Sequence, residues 1–197
     1  MKAIIFDLGG VCLTDHWAKG QRHTFSLEFG LDPEKTERYH KARVSAINTG
    51  TLSERDYFTG LFIDQSRQPQ VDEGIEYLQK QSGSSNQVLE FIKTLKRKYR
   101  VFALTNEIKE AGKFRREKFQ LNRYFEKVYV SGEMGYAKPN KDAYLYVLND
   151  IRIAPEETIF IDNKNENLTP AAELGMTVIL FKDIESLKSE LRQHGIS

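Results

Sequence analysis

Five short apolar runs, each stopped by polar residues or glycine, constrain this chain more than any other feature. Ala3-Ile4-Ile5-Phe6 ends at Asp7 and the Gly9-Gly10 pair. Val101-Phe102-Ala103-Leu104, Val128-Tyr129-Val130, Thr158-Ile159-Phe160-Ile161 and Thr177-Val178-Ile179-Leu180-Phe181 repeat the pattern. A continuous apolar run of this length fits a strand buried on both faces, as in a parallel sheet. Helical signals lie between the runs. After Ser85, an N-cap residue, Val88, Leu89, Ile92 and Leu95 recur at helical spacing. Tyr144, Val147, Leu148 and Ile151 do the same after Asn140, and a third helix is expected over 169–174, with Gly175 at its C-terminal end. Strands alternating with helices predict an α/β fold, a Rossmann-like, doubly wound and mostly parallel sheet.

One stretch breaks the alternation. Residues 14–84 contain no convincing buried strand but several helix starts. Asp32-Pro33 reads as an N-cap followed by a first-turn proline, opening a charged helix through Ile47. Ser53 with Asp56 resembles a capping box and opens a segment carrying Tyr57, Phe58, Leu61 and Phe62. The tract 65–70 reads as a loop and 81–85 as a linker. The expected organisation is an α/β core built from 1–13 and 85–197, with a small α-helical cap, 14–84, inserted between its first two strands.

In an open parallel sheet, ligands bind in the crevice beyond the carboxyl ends of the strands. The residues that follow the apolar runs should meet there: Asp7, Thr105-Asn106 and Asp162-Asn163. Lys138, in Gly135-Tyr136-Ala137-Lys138-Pro139, lies just before the helix that starts after Asn140. Two carboxylates, a hydroxyl, amides and a lysine on one crevice make a composition suited to chemistry on an anion.

These stretches carry a resemblance. Ile4-Ile5-Phe6-Asp7-Leu8-Gly9-Gly10-Val11 is similar to the first motif of the haloacid dehalogenase superfamily, and Leu104-Thr105-Asn106 to the second. Ala137-Lys138-Pro139 is similar to the third, and Phe160-Ile161-Asp162-Asn163, through Asn167 to Leu174-Gly175-Met176, to the fourth. Order and spacing agree over essentially the whole chain, and the insert falls where this superfamily places a helical cap. The resemblance implies covalent chemistry: Asp7 attacks phosphorus, and water hydrolyses the aspartyl phosphate. Thr105, Asn106 and nearby backbone N–H groups would hold the phosphoryl oxygens, and Lys138 would offset charge. Mg²⁺ would bind Asp7, the Gly9 carbonyl, Asp162 and Asn163. The expected activity is a Mg²⁺-dependent phosphatase of a small phosphorylated metabolite, similar to the sugar-phosphatase branch.

Two departures from the family pattern matter. Most phosphatases of the family carry a second aspartate two residues after the nucleophile, which protonates the leaving oxygen; here that residue is Gly9. Asn163 stands where an acidic residue usually contacts the metal, and Lys164 follows it, so weak metal binding is expected. The dehalogenase branch also lacks the second aspartate and needs no metal. This keeps a 2-haloacid dehalogenase as an alternative, with a member reduced to ligand binding as another.

Among the remaining residues, His16 and Trp17 enter the cap just after the nucleophile loop and are the candidates to face substrate. His23, His40 and His194 read as surface or satisfied core residues, and no histidine pair has metal-ligand spacing. Cys12, the only cysteine, reads as a small buried hydrophobe, and Arg22, Arg38, Arg43 and Arg55 as solvated. The basic run 93–100 reads as the solvated face of a helix. With 29 lysines and arginines against 28 acidic residues, there is no basic excess to hold nucleic acid or an anionic membrane. No apolar run approaches the ~20 residues that span a bilayer. A cytoplasmic protein with a small-molecule partner is expected; oligomeric state is left open.

Overall fold

The computed structural model describes residues 1–196. The chain begins with β1 (Ala3–Phe6) and then forms four helices: α1 (Lys19–Glu28), α2 (Pro33–Asn48), α3 (Glu54–Asp64) and α4 (Val71–Gln81). It continues through α5 (Asn86–Leu95), β2 (Arg100–Thr105), α6 (Lys109–Lys118), β3 (Lys127–Val130), the single turn α7 (Ser131–Met134) and α8 (Lys141–Ile151). β4 (Thr158–Asp162), α9 (Asn165–Glu173), β5 (Thr177–Leu180) and α10 (Ile184–Gln193) complete it. The sheet has the order β3-β2-β1-β4-β5, and every pairing is parallel.

The apolar runs become strands because both of their faces are covered. In β1, Ala3 and Ile5 join a cluster with Ala143, Tyr144 and Val147 of α8 and Ala171 of α9. Ile4 and Phe6, pointing the other way, pack with Val88, Leu89 and Ile92 of α5 and Leu187 and Leu191 of α10. Alternate side chains of one strand thus feed two cores, which is why the runs show no polar alternation. The register then sets the site. Phe6 pairs with both Ala103 and Ile161, so Asp7 sits level with the ends of β2 and β4.

The four inserted helices form a third cluster, with Phe25, Tyr57, Phe58, Leu61 and Phe62 at its centre. Asp32 caps α2 by accepting from the amides of Glu34 and Lys35. At α3 the Ser53 hydroxyl accepts from the Asp56 amide and donates to the Asp56 carboxylate. The insert is also tied to the core. Ile108 and Ala111, beside and within α6, belong to the same cluster, and the two chain crossings are laced by Thr14 N–H to Gly83 O and Gly83 N–H to Thr14 Oγ1. A Cβ on Gly50, at φ +72°, would lie 2.1 Å from the Gly132 carbonyl oxygen, so glycine lets the end of α2 rest on α7. No helix among the described residues is long and apolar enough to cross a membrane.

Three sequence expectations need correction. α9 starts at Asn165, earlier than 169, because Asp162 Oδ1 accepts from the Lys164 amide and turns the chain at once into a polar first turn. The basic run is not one helical face. α5 ends at Leu95, Lys96 donates to the carbonyls of Asn122, Arg123 and Phe125, and Arg100 already belongs to β2. Arg22 is buried rather than solvated, with its Nε 2.8 Å from Glu37 Oε2 and its Nη1 donating to the Trp17 carbonyl.

Candidate active site

At the carboxyl edge of the sheet, three ends of chain converge on one ammonium group. Lys138 Nζ lies 2.9 Å from Asp7 Oδ1, 2.7 Å from Asp162 Oδ2 and 2.9 Å from the Leu104 carbonyl oxygen. All three of its N–H donors are therefore used, and its side chain is 1% exposed. Burial works against the charged ammonium, but the two carboxylates outweigh it and hold the lysine above its usual range. Breaking such a pair from one side would leave a buried charge uncompensated.

Asp7 is divided in its duties. Its Oδ1 accepts from Lys138 and from the Leu8 amide, whereas its Oδ2 makes no hydrogen bond to any described residue. Burial pushes its carboxyl up to about 6, against the pull of Lys138 and with the help of Asp162. Asp162, fully buried, spends both oxygens on the protein: Oδ2 accepts from Lys138 and Asn167 Nδ2, and Oδ1 from the Lys164 amide.

Asn106 differs from its neighbours in what it does. Its Nδ2 donates to the Lys138 carbonyl at 2.6 Å and its Oδ1 accepts from the Lys138 amide at 2.8 Å. The amide thus grips the backbone of Lys138 from both sides, just before a cis Lys138–Pro139 bond. Its side chain is occupied in positioning the lysine. Thr105, at the end of β2, lines the cavity beside Asp7, and its hydroxyl makes no hydrogen bond to any described residue. Neither residue caps α6, whose N-cap is Ile108.

A metal ion would meet a sparse donor set. Among the described residues, no group of three or more His, Cys, Asp or Glu side chains is arranged to hold one. The Oδ1 of Asn163 is nevertheless buried without a partner, as an amide oxygen kept for a cation would be. Gly10, at φ +73°, makes room for that amide: a Cβ there would fall 2.2 Å from Asn163 Nδ2. The Asp7 carboxylate, the Gly9 carbonyl and Asn163 Oδ1 are oxygen donors of the type Mg²⁺ takes, with waters and a substrate phosphate filling the rest. These residues fit the ion while contributing one full negative charge.

The cavity over this centre has a volume of about 770 Å³ and is walled partly by the inserted helices and partly by the core. His16, Trp17, His40 and Asn48 line it from the insert, and Glu107, Arg115 and Tyr136 from the core. His16 and Trp17 thus reach the cavity wall, each with one ring nitrogen already hydrogen-bonded. His16 Nδ1 lies 3.1 Å from Ser82 Oγ, and Trp17 Nε1 donates to the Tyr57 hydroxyl. Burial first, then Arg115 and Lys118, pushes His16 down to about 3, so the ring is neutral at ordinary pH. His40, bound to the same Tyr57 hydroxyl, is held down at about 4 by burial and Arg22.

Sequence reasoning missed four residues of the site. Asn167, which fixes Asp162, lies inside the fourth motif but shows no pattern of its own. Glu107 and Arg115 form a buried ion pair of 2.6 Å, and a charged residue in a basic helix gives no signal of burial. Asp15 lines the cavity from the linker beyond the nucleophile loop. Only its position near Asp7 in the chain could have pointed to it.

The chain is similar to known proteins over most of its length. The family model described as haloacid dehalogenase-like hydrolase matches residues 1–175. A D-ribitol-5-phosphate phosphatase of Bacteroides thetaiotaomicron is 26% identical over 186 residues, covering 89% of each chain. A haloacid dehalogenase family enzyme of the same organism, solved with magnesium and inorganic phosphate, superposes with a TM-score of 0.78 at 25% identity, covering 92% of this chain and 94% of that one. An L-2-haloacid dehalogenase of Xanthobacter autotrophicus shares the fold at 15% identity and a TM-score of 0.67, over 100% of this chain and 84% of that one.

Proposed function

The chain belongs to the haloacid dehalogenase-like hydrolases, and from that premise we propose a Mg²⁺-dependent phosphatase of a small, sugar-phosphate-like metabolite, acting through an aspartyl phosphate on Asp7. The observation that carries this reading is the bridge of Lys138 between Asp7 and Asp162. It anchors one oxygen of Asp7 and leaves Oδ2 without a protein partner beneath a 770 Å³ cavity. A fixed carboxylate with one unencumbered oxygen is suited to in-line attack.

The roles of the other residues follow from their partners. Lys138 offsets charge on Asp7 and on the arriving phosphoryl group, which is the largest electrostatic contribution this chain can make itself. Asp162 and Asn106 hold Lys138 by its head and its backbone. Thr105, its hydroxyl unengaged, receives a phosphoryl oxygen. The Asp7 carboxylate, the Gly9 carbonyl and Asn163 Oδ1 would hold Mg²⁺, while Asp162 keeps both of its oxygens in hydrogen bonds to Lys138, Asn167 and the Lys164 amide. When bound, the ion neutralises charge on the transferring group. The cap wall of His16, Trp17, His40 and Asn48 is mostly uncharged at neutral pH and suits a hydroxylated organic moiety.

The test is phosphate release from a broad panel of phosphate monoesters, with Mg²⁺ and with a chelator. Turnover that needs Mg²⁺ and drops to background in Asp7→Asn is expected. Halide release from a 2-haloacid in the presence of chelator would replace this reading with carbon–halogen hydrolysis. Against that rival, the cap arginine in the cavity wall, Arg22, is already paired with Glu37. Binding of esters without any turnover would leave a ligand-binding protein instead.

A further inference from the structure

Resting on the phosphatase reading, we propose that Asp15, a residue of the linker into the cap, supplies the proton that Gly9 cannot. The position two residues beyond the nucleophile, where related phosphatases carry an acidic side chain, has none here. The space is not empty. A Cβ built on Gly9 would lie 3.2 Å from Asp15 Oδ1, and one built on Gly10 3.6 Å from the same atom. The Asp15 carboxylate therefore fills the volume into which a side chain at residue 9 would project. Both residues line the cavity with Asp7.

Two further observations set Asp15 apart from an ordinary linker aspartate. Its carboxylate makes no hydrogen bond or ion pair with any described residue, so neither oxygen is committed to structure. Its backbone, by contrast, is fixed on both sides. The Thr14 carbonyl accepts from Arg115 Nη2 at 2.6 Å, Thr14 is laced to Gly83, and His16 is tied to Ser82. Arg115 is itself 2% exposed and locked to Glu107. A free carboxylate on an anchored backbone, over the nucleophile loop, has the form expected of a proton donor.

The chemistry balances. As Asp7 forms its bond to phosphorus and the ester P–O bond breaks, the leaving alkoxide takes the proton of the Asp15 carboxyl group. In the second half-reaction, the Asp15 carboxylate accepts a proton from the water that attacks phosphorus. Phosphate leaves, Asp7 regains its carboxylate and Asp15 its proton.

The experiment measures kcat/KM with Mg²⁺ over a series of monoesters, from glycerol phosphate through phenyl phosphate to p-nitrophenyl phosphate. General acid help counts for most with a poor leaving group. Asp15→Asn is expected to lose roughly 10²- to 10⁴-fold on the alkyl ester, with a much smaller loss on the nitrophenyl ester, steepening the leaving-group dependence. On the nitrophenyl ester it should also show a burst of about one nitrophenolate per enzyme, because hydrolysis of the aspartyl phosphate has lost its base. Gly9→Asp combined with Asp15→Gly returns a carboxylate to the same volume and should recover much of the alkyl-ester activity. An equal loss across the series in Asp15→Asn, or no loss, overturns the proposal, as does a folded double variant no better than Asp15→Asn. A wild-type chain that turns over none of the esters overturns the phosphatase reading itself, which keeps the two failures apart.

Discussion

Residues that face similar charges in this molecule reach different states, and burial with its partners explains the differences. Lys138 stays charged because two carboxylates flank it. Glu54, at the start of α3, also faces carboxylates, but they carry its own sign. Burial first, then Glu110 and Glu107, push its carboxyl from 4.5 to about 7. Between those two values the folded chain keeps a proton at Glu54 that the unfolded chain has released, so stability should fall as pH rises through this window and level off above it. The shift corresponds to about 3 kcal/mol at most. Glu54→Gln is expected to match the wild type near pH 4 and to exceed it at pH 8 in urea midpoint; equal midpoints at both would show that Glu54 is ionised without penalty. At this scale, Asp7, Lys138 and Asp162 were legible as candidates because each follows an apolar run or opens a distinctive Lys-Pro pair. Asn106 was legible as a candidate, whereas its grip on the Lys138 backbone was not. Residue type does not reveal which group a side chain will find.

Elements read well where amphipathic pattern and punctuation coincided. All five strands and the helices after Ser85 and Asn140 fall where apolar runs and N-caps put them. α6 and α10 went undelineated because their exposed faces are dense in charge, with only Ala111 and Gly112 of α6 and Leu187 and Leu191 of α10 as buried small or apolar positions. The capping signal at Ser53 matters more than its single turn suggests. α3 brings Tyr57, Phe58, Leu61 and Phe62 to the centre of the cap cluster, so fraying at its start loosens that cluster. Ser53→Ala is expected to cost about 1 kcal/mol, a fall in Tm of roughly 2–4 °C for a chain of this size. Scanning calorimetry checks it, and an unchanged Tm would mean that the Asp56 amide finds another acceptor.

At the scale of the whole molecule, cap and core are distinct in chain order but share apolar packing. Ile108 and Ala111 join the cap cluster from the core side, Gly50 rests on Gly132, and Arg115 reaches from α6 to the linker carbonyl of Thr14. These contacts argue for one cooperative unfolding transition. Trp17 is the only tryptophan and packs edge-on to Phe25 and Phe58 inside the cap, so its fluorescence reports the insert, while far-UV circular dichroism reports the whole chain. The two denaturation curves should superpose, and a fluorescence midpoint at lower urea would mean that the cap melts on its own. Sequence alone determined the parallel α/β sheet, the inserted helices and the chain ends that meet over the sheet, because buried strands need apolar runs and strand ends need polar stops. Tertiary structure alone decided that Asp15 occupies the volume beside Gly9, that Arg22 and Arg115 are buried, and that Asp162 serves Lys138. Those outcomes depend on distances between segments far apart in the chain, and no local pattern encodes such distances.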